Sequence, residues 1–114
     1  MKNWGEVVAF ACALPEVEMI SFYGVPCPKL NGKALASPSR EEDSFCLFVS
    51  VSEKEMLMET DPDTFWETAH YRNYPAVLVR YGTADPERVA ALLERAWERR
   101  ASKAQRTERA EKLG

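Results

Sequence analysis

Apolar residues recur along this chain with two different periods, and each change of period marks an element. Trp4, Val7, Val8, Ala11 and Leu14 return at the three-to-four-residue spacing of a helix with one buried stripe. Asn3 and Glu6 form a capping-box pattern at its start. Pro15 predicts its end near Leu14, because proline has no N–H to give the helical ladder. Near the other end of the chain, Val89, Leu92, Leu93, Ala96 and Trp97 repeat the same spacing. Asp85 is the cap there, Pro86 takes the first helical position and Glu87 favours the positive helix end. Each helix carries a single apolar stripe, which predicts that both pack on one face of a sheet.

Between these helices the period falls to two. Met19–Tyr23 is rich in β-formers and is broken by Gly24. Pro26 and Pro28 predict an edge or irregular strand, since neither donates to a ladder. Asn31-Gly32 predicts a tight hairpin with arms Lys29–Leu30 and Lys33–Ala36. Ser44–Val51 alternates with Phe45, Leu47, Val49 and Val51 on one face. Ala76–Tyr81 alternates as well, with Val77, Val79 and Tyr81 opposite Ala76, Leu78 and Arg80. Ser52 and Glu55 predict a short helix with Met56 and Leu57 inward, ended by Asp61-Pro62-Asp63. Thr64–Thr68 reads as a short β segment and Ala69–Tyr74 as a loop or strand crossing. Hairpin-length links and segregated helices predict an α+β domain: an antiparallel sheet with the N-terminal and C-terminal helices packed on one face. That domain spans residues 1–100, and residues 101–114 are a basic helix extension or a frayed tail.

Composition narrows the setting. With 114 residues, 46% apolar and 29% charged, the chain is long enough to bury a real core as one domain. No apolar run approaches the roughly 20 residues that span a bilayer, and the start of the chain lacks a secretory pattern. Cys12, Cys27 and Cys46 have no CxxC spacing, which fits a reducing cytoplasm and no disulfide framework. The expected setting is therefore cytoplasmic, with no membrane partner. The net charge of −3 is uneven: residues 1–84 hold 7 basic against 12 acidic side chains, whereas residues 99–114 hold 6 against 2. Only the C-terminal end has the charge of a general phosphate attractor.

Candidate chemistry concentrates in His70-Tyr71-Arg72-Asn73-Tyr74-Pro75, which holds the only histidine. Arg72 suits a two-pronged contact to phosphate or carboxylate, and Tyr71 and Tyr74 suit stacking on a base. On a structural reading, the same aromatics plug the sheet and Arg72 pairs with a nearby acid. Lys29, Lys33 and Arg40 lie on or near the hairpin, where they either reach a nucleic-acid backbone or are simply solvated. A nucleic-acid module requires one positive patch uniting Lys29, Lys33, Arg72 and Arg80. A protein-interaction or small-anion-binding module, with a homodimer as one form, requires an aromatic groove of Trp66, Tyr71 and Tyr74. No enzyme is expected, because no nucleophile has a base partner by spacing. No metal or other cofactor is expected either: zinc-ligand spacing and phosphate-binding glycine patterns are absent.

Several segments in order resemble the MmcQ/YjbR family. They are residues 13–18 (Ala-Leu-Pro-Glu-Val-Glu), 22–26 (Phe-Tyr-Gly-Val-Pro), Asn31-Gly32-Lys33, the block 61–80 and the helix start Asp85-Pro86-Glu87. The resemblance covers roughly residues 4–100. It implies a CyaY-like, double-wing α+β fold, DNA as the partner, and no catalytic set.

Overall fold

Caps and turn residues fall where the chain changes direction. In the computed structural model, which describes residues 1–22, 24–83 and 85–113, Asn3 caps the helix Trp4–Cys12 (α1) by accepting the Glu6 amide at 2.9 Å. The strand expected at 19–23 runs Glu18–Phe22 (β1), and Tyr23 lies outside the described residues. Val25–Leu30 (β2) pairs antiparallel with β1 and, through Asn31-Gly32, with Lys33–Ala34 (β3). Asn31 and Gly32 have φ of 54° and 80°, the left-handed pair that a two-residue type I′ turn requires. After a bend at Leu35 the chain continues as Ala36–Pro38 (β4) and changes partner to Ser44–Phe48 (β5). There follow the helix Val51–Thr60 (α2), Phe65–Trp66 (β6), a 3-10 turn at Ala69–Tyr71 and Ala76–Arg80 (β7). The helices Pro86–Arg100 (α3) and Lys103–Leu113 (α4) complete the described chain.

All strand pairs are antiparallel, in the orders β1-β2-β3 and β4-β5-β7-β6. The two sheets meet at the bend: Leu35 donates to the Pro28 carbonyl at 3.0 Å and accepts from Phe48 at 3.3 Å. Pro26 and Pro28, expected to force an edge or irregular strand, instead lie in the middle strand of the first sheet. Alternate residues of a strand turn their backbone groups to opposite neighbours, and both prolines turn away from β1. On that side the Pro28 carbonyl meets Leu35 and the Pro26 carbonyl accepts the Trp4 indole N–H at 2.8 Å. The missing N–H groups therefore face the bend and α1, where no ladder donor is needed.

The second helix begins behind Ser50 rather than Ser52, and the strand before it stops at Phe48. Two capping-box patterns overlap here, and the Ser50 hydroxyl accepts the Glu53 amide at 3.2 Å. That start turns Glu53, Lys54 and Leu57 inward and leaves Met56 exposed, against the expected apolar pair Met56 and Leu57. Past Arg100, Ser102 and Gln105 cap α4 reciprocally, at 3.1 and 2.8 Å. The helix returns along α3, where the Arg109 guanidinium lies 5.0 Å from the Trp97 ring centre and 3.3 Å from Glu94.

The core sits between one sheet face and the helices. Val7 and Ala11 of α1 and Val89, Leu93 and Trp97 of α3 pack with Phe45, Leu47, Val77 and Val79. The fold is thus α+β, with the N-terminal helix and α3 on the same face of antiparallel sheet. Trp97 is fully buried, and its indole N–H donates to the Pro15 carbonyl at 2.8 Å, which ties α3 to the end of the α1 segment. Among the described residues, no helix is long and apolar enough to cross a membrane.

Candidate binding face

The side of the second sheet turned away from the helices is covered only in part. Cys46, Ala76 and Leu78 form a small buried cluster there, packed against Phe48, Trp66 and Tyr71. The loop after β6 supplies Tyr71, and a buried lysine holds that loop in place. Lys54 is 2% exposed. Its ammonium donates to the carbonyls of Tyr71 at 2.5 Å and Tyr74 at 3.1 Å, and lies 2.6 Å from Glu67 Oε2. Two carbonyls thus accept from the ammonium, and one carboxylate balances its charge. The Glu67 oxygen makes no well-aligned hydrogen bond, so the Lys54–Glu67 contact is chiefly a charge pair. Asn73, at φ 63°, turns the chain back toward β7 in a conformation that asparagine tolerates better than most residues.

Beneath this loop lies a cleft of about 250 Å3 lined by Ser37, Cys46, Phe48, His70, Tyr71 and Tyr74. The His70 and Tyr71 rings meet edge-on at 5.0 Å and those of Tyr71 and Tyr74 at 6.5 Å, so adjacent faces stand roughly at right angles. Tyr74 is 52% exposed. Burial pushes the Cys46 thiol up from its ordinary range, opposed by hydrogen bonding with Ser37 and Tyr71 and by the Lys54 charge. Burial likewise raises the Tyr71 phenol, and Cys46 adds to the shift. A buried thiol with a raised pKa holds its proton at neutral pH, which suits a wall rather than a nucleophile.

The structure gathers some predicted residues and separates others. His70, Tyr71 and Tyr74 share the cleft, and Trp66 packs on the same face. Trp66 is held by its indole N–H, which donates to Ser44 Oγ at 2.9 Å. Arg72 lies exposed on the loop between the two tyrosines, with no ion pair among the described residues. Arg80 is engaged elsewhere: its guanidinium stacks 4.7 Å over Trp66 and donates to the carbonyls of Pro62 and Asp63, with Asp43 at 3.7 Å. Lys29 pairs in register with Ala34, and Lys33 with core-facing Leu30, so the two lysines lie on opposite faces of the hairpin. Arg40 acts electrostatically on Tyr71, and Arg100 sits 5.8 Å over the Phe48 ring, so further guanidinium groups border the cleft side.

Lys54, Glu67, Phe48 and Ser37 had no place in the sequence reading of the site. The available signal for Lys54 was its position three residues before Leu57 on one helical face. Among the described residues, no three His, Cys, Asp or Glu side chains group to hold a metal ion. No family model, curated protein or solved structure matches this chain.

Proposed function

We propose that the chain is a non-enzymatic binding module of the cytoplasm, akin to the MmcQ/YjbR family, that engages nucleic acid through the helix-free sheet face. One observation carries this reading: the Lys54-anchored loop presents half-exposed Tyr74 and exposed Arg72 beside an aromatic cleft. An aromatic platform next to a guanidinium suits a base with its phosphate, the base stacking and the phosphate positioning. Arg40 and Arg100 add phosphate-directed charge on the cleft side of a body that is otherwise acidic.

The test is fluorescence anisotropy of labelled single-stranded and duplex oligonucleotides at low and high salt. Expected is binding that weakens steeply with salt, with the salt slope reduced by about 1 in Arg72→Ala. Tyr74→Ala is expected to cost single-strand binding about 1–3 kcal/mol. No retention of either oligonucleotide at low ionic strength would sink the proposal. A protein-interaction module is the second reading, favoured by the exposed apolar side chains of Met19, Ile20 and Val25 on the first hairpin.

A further inference from the structure

The two open edges of the sheets are treated differently. β6 is two residues long and packs against α2. β1 is five residues long, and Glu18, Met19, Ile20 and Ser21 are all exposed, Met19 at 61% and Ile20 at 38%. No charge interrupts residues 19–22. A bare apolar edge of this length is what monomeric proteins avoid, because its unpaired backbone groups recruit another strand.

The prolines of β2 decide which backbone groups of β1 are open. Met19 pairs with Pro28 and Ser21 with Pro26. A pair that contains proline cannot exchange two N–H···O=C bonds, so Glu18 and Ile20 bond inward to Lys29 and Cys27. The N–H and C=O of Met19 and Ser21 therefore point out of the edge, with the Ile20 side chain between them.

We infer that β1 is the contact strand of a homodimer in which two copies pair antiparallel about Ile20. The edge is complementary to itself in this register. Met19 of each copy stands opposite Ser21 of the other, and each such pair exchanges both of its outward bonds. The two Ile20 side chains meet as the closely spaced, non-hydrogen-bonded pair, with Cα atoms about 4.5 Å apart. β-Branched residues favour that contact. The only charged residue of the strand, Glu18, is carried to opposite ends, about 14 Å from its symmetry mate at ~3.4 Å per residue. Like charges at that range are largely screened at physiological salt. A two-fold axis normal to the sheet brings the helix-free faces of both copies to the same side, so two clefts look out together. The dimer does not depend on nucleic acid being the ligand, since its contacts are confined to β1.

Sedimentation equilibrium on the full chain, from low micromolar to several hundred micromolar, tests this. Expected is a concentration-dependent rise to twice the 12.9 kDa chain mass. Ile20→Lys, which sets two ammonium groups against each other, is expected to weaken the dimer at least about tenfold. Ser21→Pro, which deletes an outward donor but no inward one, is expected to weaken it too. Hydrogen exchange gives a readout that needs no variant: the Met19 and Ser21 amides should be slow at dimer concentrations and fast on dilution. Circular dichroism verifies that each variant is folded. Monomer mass at every concentration, a dimer indifferent to both substitutions, or fast exchange at both amides in the concentrated native chain would each overturn the assignment.

Discussion

The two faces of the second sheet are built from the same strands but held together differently. On the helix side, Phe45, Leu47, Val77 and Val79 meet the stripes of α1 and α3, and cohesion comes from apolar area removed from water. On the other side, Cys46, Ala76 and Leu78 are roofed by a loop that has no regular structure beyond one 3-10 turn. What holds that roof is Lys54, through two carbonyls and a carboxylate. The first face tolerates small errors of direction, because apolar contact is non-directional. The second depends on the position of a single ammonium, which makes it better defined locally and easier to release.

The largest effect should separate the two modes of cohesion. Trp97→Ala is expected to cost about 3–5 kcal/mol in urea unfolding, since it empties a fully buried site and removes the bond to Pro15. A loss below about 1 kcal/mol would show that the helix-side core is not where stability resides.

Lys54→Met comes next. It leaves the Tyr71 and Tyr74 carbonyls and the Glu67 carboxylate without their cation, at an expected cost of about 2–4 kcal/mol. Glu67 retains some access to water, which moderates the loss. Amides of 69–76 should lose exchange protection while those of α3 keep theirs. Adding Glu67→Leu should recover part of the stability, and equal loosening of both faces would undo the distinction drawn between them.

A smaller contrast lies in the start of the helix that carries Lys54. Ser50→Ala should cost about 1 kcal/mol and Ser52→Ala nearly nothing, because only Ser50 accepts the Glu53 amide. The reverse result would shift the helix start, and with it the inward direction of Lys54.

The smallest effect is that of alkaline pH. Burial raises the Cys27, Cys46, Tyr71 and Tyr81 pKa values, so the folded chain holds these protons more tightly than the unfolded one. Their contribution is complete below the ordinary values and is lost as pH rises through the raised ones. Denaturant midpoints should stay level through neutral pH and begin to fall above the ordinary thiol value of 9.0.

How much of this was legible along the chain depended on the kind of interaction. Val89, Leu92, Leu93, Ala96 and Trp97, named from spacing alone, are all buried in α3. Asn31-Gly32 makes the two-residue turn its residue types demand. Ser52 and Glu55, by contrast, pointed to the wrong start for α2: an overlapping Ser-x-x-Glu pattern begins at Ser50, and neither pattern says which one the fold uses. The grouping of His70, Tyr71 and Tyr74 was visible because they are neighbours in sequence. Their cleft was not, because Ser37, Cys46 and Phe48 arrive from β4 and β5.

Periodicity and turn chemistry act over a few residues, so the order of residues was enough to set the two amphipathic helices, the hairpin and the alternating strands. Contacts between distant segments carry no local trace. That Lys54 reaches a loop some twenty positions away, that Arg80 lies over Trp66 instead of joining Lys33, and that two prolines fit inside a sheet were settled by packing. In each case a polar group found its partner only after the strands had come together, and its energy depends on where that partner stands.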